Sequence, residues 1–120
     1  METEALANFL QAIVQKHRRD RYAGYLGTEK GRRKLLAALD HDLERDIETK
    51  KIAKSLSEKE WTQPALLLSS SGIFGQEYSS VRGACNEAPW EGGWLVVGGA
   101  GKFGVYRPEG KSDDEVVIKL

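Results

Sequence analysis

The spacing of apolar residues changes at Pro64, and this change constrains the fold more than any other feature of the sequence. Before Pro64 apolar residues recur every three or four positions, and after it they alternate while glycine becomes frequent. The first spacing is that of an amphipathic helix and the second that of a strand. The order predicts an α+β domain, with two to three N-terminal helices packed on one face of a C-terminal antiparallel sheet of about four strands. We expect residues 1–120 to form a single domain, mainly helical over 1–62 and mainly β over 63–120.

The N-terminal half contains two long helical patterns. The first is predicted from Ala5 to about Tyr22, and Gly24 and Gly27 predict a break after it. The second is predicted from Thr28 to about Ile47. Ser57 and Glu60 have the spacing of a capping box, which predicts a short helical turn before Trp61.

Short apolar runs between turn-forming residues predict the strands. The candidates are Ala65–Ser70, Tyr78–Cys85, Trp94–Val97, Lys102–Arg107 and Val116–Leu120. Too little chain separates them for parallel crossovers, which need a dozen or more residues, so the sheet is predicted to be an antiparallel meander.

Composition limits the classes of function. The formal net charge is zero, so any functional charge must be local. Cys85 is the only cysteine, and no run of residues is long and apolar enough to cross a membrane. The sequence therefore predicts a cytoplasmic protein without a membrane partner. No motif identifies a family.

The string Gly99–Gly104 fits the pattern G-x-G-x-x-G but lacks the context of a dinucleotide site. No helix follows it, and no βαβ unit fits in the residues that remain. A phosphate-binding P-loop is also excluded, because Val96 and Phe103 occupy positions that require glycine and a hydroxyl residue. We interpret the string as a glycine-rich turn and predict no cofactor.

Charge is segregated along the chain. Residues 16–34 carry eight basic and two acidic residues, and residues 40–48 carry five acidic and one basic residue. In a helix running from Thr28 to Ile47, this order opposes the helix dipole. One explanation is internal pairing of the acidic residues with lysines such as Lys50, Lys51 and Lys54. The other is that Lys16–Lys34 forms an exposed basic helix corner, in which Tyr22 and Tyr25 accompany the cations.

These features lead to a prediction and two alternatives. The prediction is a non-catalytic interaction module that binds another protein through the basic helix corner and the loop residue Trp90. The first alternative is a nucleic-acid-binding protein that uses the cations on phosphates and the tyrosines for stacking. The second is a metal-dependent enzyme that uses the Asp40–Asp46 carboxylates. No catalytic or metal-ligating residue is predicted, and the oligomeric state is left open. The predicted binding residues are Arg18, Arg19, Arg21, Tyr22, Tyr25, Arg32, Arg33 and Trp90.

Overall fold

The computed structural model describes residues 2–109 and 115–120. Its α-helices are α1 (Glu2–Ile13), α2 (Arg19–Gly27), α3 (Glu29–His41), α4 (Leu43–Asp46), α5 (Glu58–Trp61) and α6 (Val81–Glu87). Its strands are β1 (Ile52–Ala53), β2 (Ala65–Ser69), β3 (Phe74–Tyr78), β4 (Trp94–Gly98), β5 (Phe103–Arg107) and β6 (Val116–Lys119). Short 3₁₀ helices cover Lys16–Arg18 and Thr49–Lys51. The predicted α+β class with an antiparallel sheet is confirmed.

The helical half is divided differently from the prediction. The first helix ends at Ile13 rather than Tyr22, because Val14 pairs with Ile47 as an isolated antiparallel bridge. The predicted break over 22–27 lies inside α2 instead. The second helix ends at His41 rather than Ile47, since the backbone of Asp42 departs from helical values (φ −122°) and α4 starts anew.

Within the described residues the sheet has six strands rather than about four, in the order β1-β6-β5-β4-β2-β3. All neighbouring strands are antiparallel. The prediction missed β1, which is only two residues long, and β3, whose sequence Phe-Gly-Gln-Glu-Tyr has little apolar character.

The predicted strand Tyr78–Cys85 was wrong: β3 ends at Tyr78 and helix α6 follows it. The Ser80 hydroxyl caps α6 by accepting a hydrogen bond from the Gly83 amide at 3.0 Å. Strands β3 and β4 both pair with β2 and therefore run in the same direction, so α6 carries the chain across β2.

Helices cover both faces of the sheet, which corrects the prediction that they lie on one face. Helices α1 to α4 bury one face, where Phe9, Leu10 and Leu39 pack against Leu95 and Tyr106. On the other face, α6 and the segment before α5 pack on the alternate residues of the strands, whose side chains point to that face. Residues of this second cluster include Leu56, Leu67, Val81, Ala84, Trp94, Val96, Phe103 and Val105. Strands that are buried on both faces of a sheet have near-continuous apolar sequences, as β2 and β4 do.

Candidate functional site

Helices α2 and α3 form a tight hairpin at the centre of the basic helix corner. Thr28 caps α3, with its hydroxyl accepting a hydrogen bond from the Gly31 amide at 2.9 Å. Gly31 is buried against the backbone of α2, and a Cβ atom there would lie 2.5 Å from the Tyr25 carbonyl oxygen. The backbones therefore meet at Gly31, which fixes how the surrounding cations are placed.

Two of the predicted binding residues, Arg18 and Arg19, pair with the acidic segment. Arg18 Nε lies 3.1 Å from Asp46 Oδ1, and Arg19 Nη2 lies 3.3 Å from Glu48 Oε1. Backbone bonds from Gln15 to Asp46 (2.7 Å) and from Glu48 to Ile13 (2.8 Å) hold the two segments side by side. The oppositely charged blocks of the sequence are thus neighbours in space.

This pairing accounts for most of the charge pattern that opposes the helix dipole. Because α3 ends at His41, the acidic residues at 42, 44, 46 and 48 lie beyond that helix. Of the lysines named as possible partners, Lys50 lies near the acidic segment, with its Nζ 3.7 Å from Glu48 Oε2. The principal partners of Asp46 and Glu48 are the two arginines.

Tyr22 is part of the same buried network. Its side chain is 1% exposed, and its hydroxyl donates to Asp46 Oδ2 at 2.7 Å. Burial, together with the neighbouring Asp46 carboxylate, raises the pKa of Tyr22 far above its usual value. The half-buried Tyr25 ring lies edge-on to it, with ring centroids 5.5 Å apart. The enclosed Tyr22 ring offers no face on which a nucleic-acid base could stack.

The other cations of the corner face solvent. They are Lys16, Arg21, Lys30, Arg32, Arg33 and Lys34, all of which are exposed. The Arg32 guanidinium lies over the Phe74 ring of β3, 5.0 Å from its centroid. Arg33 makes a solvent-exposed pair with Glu29 at 3.3 Å. The corner therefore presents positive charge to solvent around the start of α2 and in the first turns of α3.

Trp90, at 80%, is the most exposed of the large apolar side chains that the structure describes. It lies in the loop of residues 88–93, between α6 and β4, which we call the Trp90 loop. The Gly93 amide donates to Asp40 Oδ1 at 2.7 Å and to Ser70 Oγ at 3.1 Å. The Ser70 amide in turn donates to the Gly93 carbonyl oxygen at 2.9 Å. The loop is therefore anchored to both α3 and the β2–β3 turn, while its tryptophan remains in solvent.

Helix α3 connects the Trp90 loop to the basic helix corner. Arg33 lies seven residues before Asp40, which is nearly two full turns, so the two residues occupy the same stripe of α3 about 10 Å apart along the axis. The role of Asp40 and Ser70 in anchoring the loop was not predicted from the sequence. These two residues lie 53 and 23 residues from Gly93, and no local pattern signals such distant hydrogen bonds.

The carboxylates that the metal-dependent alternative would use have different protein partners. Asp40 accepts from the Gly93 amide, Asp42 pairs with Arg45 at 2.6 Å, and Asp46 is 3% exposed and pairs with Arg18. In the described part of the chain, no group of three or more histidine, cysteine or acidic side chains is arranged to hold a metal ion. Burial raises the pKa of Cys85 to about 12, so this thiol carries little of the thiolate that nucleophilic chemistry requires.

Comparison with known proteins gives no family for this geometry. No protein-family model, curated protein or solved structure matches the chain. Among the helices of residues 2–109 and 115–120, none combines the length and apolar character that a membrane span requires.

Proposed function

We propose that this chain is a non-catalytic cytosolic module that binds another protein through a surface formed by the Trp90 loop and the exposed cations of the basic helix corner. The observation that carries the proposal is the 80% exposure of Trp90 on a loop whose base is hydrogen-bonded to Asp40 and Ser70.

An exposed tryptophan on an anchored loop suits an interface anchor. Tryptophan is enriched among the residues that dominate binding energy, because it buries a large apolar area and can also donate a hydrogen bond. Ordering a flexible loop costs binding free energy. The hydrogen bonds at Gly93 and Ser70 reduce that cost, since they hold the loop before a partner arrives.

The neighbouring charges indicate the chemistry of the partner. Arg33 lies on the stripe of α3 that leads to Asp40, and Arg32 rests on Phe74 with its guanidinium at the surface. A partner with an apolar pocket for the indole and with acidic residues that face the exposed arginines would complement this arrangement.

Nucleic acid is the alternative partner, and the geometry supports it less. Arg18 and Arg19 are already paired with carboxylates, and Tyr22 is enclosed. Phosphate binding would remain open only to the exposed cations, which include Arg21, Arg32 and Arg33.

The test is a pull-down of the tagged protein from its host lysate, with and without nuclease, followed by affinity measurements on the recovered partner. The variants are Trp90→Ala and the double variant Arg32→Glu/Arg33→Glu, with the exposed Lys54→Glu as a matched charge-reversal control. Loss of a tryptophan that anchors an interface costs 2 kcal/mol or more, so Trp90→Ala should weaken binding about 30-fold. The charge reversals should weaken binding less and reduce its dependence on salt, and the control should leave it unchanged.

The outcomes separate the candidates. A nuclease-resistant partner that is lost with Trp90→Ala supports the proposal. A partner bound equally by wild type and both surface variants refutes it. Recovery of nucleic acid, with affinity that falls steeply as salt rises, would establish the alternative.

A further inference from the structure

A pocket of about 820 Å³ opens at the end of the sheet opposite to the Trp90 loop. The start of β2, the end of β3 and the β4–β5 turn meet there, together with α1 and the segment around α5. We call it the sheet-end pocket. Its apolar lining is Ala5, Pro64, Ala65, Leu66, Val97 and Phe103. The volume and the largely apolar wall are those of a small-molecule site, which typically measures roughly 300–1,000 Å³.

The glycine-rich turn between β4 and β5 forms one wall of this pocket. Gly99, Ala100 and Gly101 all have positive φ (59°, 57° and 92°), and the amides of Gly101 and Lys102 both donate to the Gly98 carbonyl oxygen. The amides of Gly99 and Ala100 donate to no residue in the described part of the chain. Ala100 adopts the left-handed backbone conformation, which is unfavourable for a residue with a side chain. Successive free amides in a turn of this kind can bind an anionic group.

The charged groups around the pocket leave cations in excess. The side chains of Lys59 and Lys102 are exposed, and neither pairs with another side chain among residues 2–109 and 115–120. Glu60 Oε1, in contrast, lies 2.9 Å from Lys119 Nζ and accepts from the Ser57 amide at 2.8 Å. The Ser57 amide, and then Lys119, lower the pKa of Glu60, which therefore stays ionised and neutralised by Lys119. Glu77 is left as an exposed carboxylate on the rim.

We propose that the sheet-end pocket binds a small molecule with an apolar body and a single carboxylate. The apolar wall would hold the body, while Lys59, Lys102 and the free amides of Gly99 and Ala100 would receive the carboxylate. A cationic ligand of the same size would meet two unpaired lysines with only Glu77 in its favour. This site is separate from the proposed protein-binding surface, because it lies at the other end of the strands.

The test uses decanoate as the probe, titrated below its micelle-forming concentration into the ¹⁵N-labelled protein. Decanol and decyltrimethylammonium serve as neutral and cationic probes of equal chain length. We expect saturable shifts of the amides at residues 65–66 and 99–102 with decanoate, weaker binding of decanol, and the weakest binding of the cation. Because an exposed ion pair contributes little, the double variant Lys59→Met/Lys102→Met should bind decanoate about fivefold more weakly than wild type. The exposed Lys54→Met, which lies outside both the sheet-end pocket and the basic helix corner, is the control and should bind as wild type does.

Several results would overturn this proposal. Equal binding of decanoate and decyltrimethylammonium would show that charge plays no part. Undiminished decanoate binding by the double lysine variant would remove the assigned role of Lys59 and Lys102. Shifts confined to the Trp90 loop, or no saturable shift at all, would show that the sheet-end pocket is not the site.

Discussion

The close approach of α2 and α3 at Gly31 gives a prediction whose size can be worked from the structure. We expect Gly31→Ala to destabilise the protein, because its Cβ would lie 2.5 Å from the Tyr25 carbonyl oxygen, 2.7 Å from Tyr25 Cα and 2.8 Å from the Gly24 carbonyl oxygen. Ordinary contacts of a Cβ atom begin at 3.4 Å, so the helices must separate by about 0.9 Å. All three atoms belong to the backbone, and no side-chain rotation can relieve the contact.

The expected magnitude is the difference between two opposing effects. Overpacking of this kind costs about 1–3 kcal/mol, and a backbone contact belongs at the upper end or beyond. Alanine in place of glycine returns about 1 kcal/mol through helix propensity. We therefore expect Gly31→Ala to lower the free energy of unfolding by about 2 kcal/mol, which corresponds to a loss of about 8 °C in Tm for a domain of this size.

The matched control is Gly24→Ala, in the middle of α2. A Cβ atom at Gly24 has nothing within 4 Å, so only the propensity gain of about 1 kcal/mol remains, and this variant should melt a few degrees above wild type. Thermal and urea unfolding, followed by circular dichroism, measure both variants. A Gly31→Ala variant as stable as wild type, or more stable, would show that the backbones of α2 and α3 do not meet closely at this corner.

Three further predictions concern stability. Asp46→Ala should lower the free energy of unfolding, measured in urea, by about 2–3 kcal/mol, which is somewhat less than for a fully buried pair because Arg18 is partly exposed. Asp42→Ala, at the surface, is the control and should lower it by less than about 1 kcal/mol. Equal losses in the two variants would contradict the buried network. Because burial raises the pKa of Cys85 to about 12, and also raises that of Tyr22, the folded state keeps protons that the unfolded state loses above pH 8.5 and 10. Stability should therefore fall by up to about 1.4 kcal/mol per pH unit for each group, first above pH 8.5 and more steeply above pH 10, and a flat profile over that range would refute it. Ala100→Gly should raise the free energy of unfolding by about 0.5–1 kcal/mol, because glycine removes the strain of the left-handed backbone, and this gain exceeds the cost of the greater entropy of the unfolded chain. A destabilised variant would contradict the φ of 57°.

Local patterns in the sequence predicted elements well where a single element buries its own apolar stripe. The stripe of α1, the alternation of β5 and the Ser57–Glu60 capping box all have the predicted form. Boundaries failed where a contact distant in sequence decides them. Val14 leaves the helix to pair with Ile47, and no pattern within residues 5–22 carries that information.

The candidate surface could be predicted only in part for the same reason. The local charge pattern and the position of Trp90 in a predicted loop marked the basic segment and Trp90 as candidates. The ion pairs of Arg18 and Arg19 with Asp46 and Glu48 separate these two arginines from the exposed cations of the segment. These partners lie some 30 residues away in the sequence. The anchoring of the Trp90 loop also depends on Asp40 and Ser70, which are far from Gly93 in sequence.

The two charged segments can be explained by folding and by surface chemistry together. Arg18 and Arg19 meet Asp46 and Glu48 where the chain leaves α1 and where it leaves α4, so these pairs help close the helical layer over the sheet. That closure requires opposite charge on the two segments, and it accounts for Arg18 and Arg19. It does not account for the other cations of the basic helix corner, of which Arg33 pairs only with the exposed Glu29. These exposed cations are Lys16, Arg21, Lys30, Arg32, Arg33 and Lys34. A surface that serves stability alone would intersperse both signs, so this excess of positive charge is the part of the pattern that internal pairing leaves unexplained.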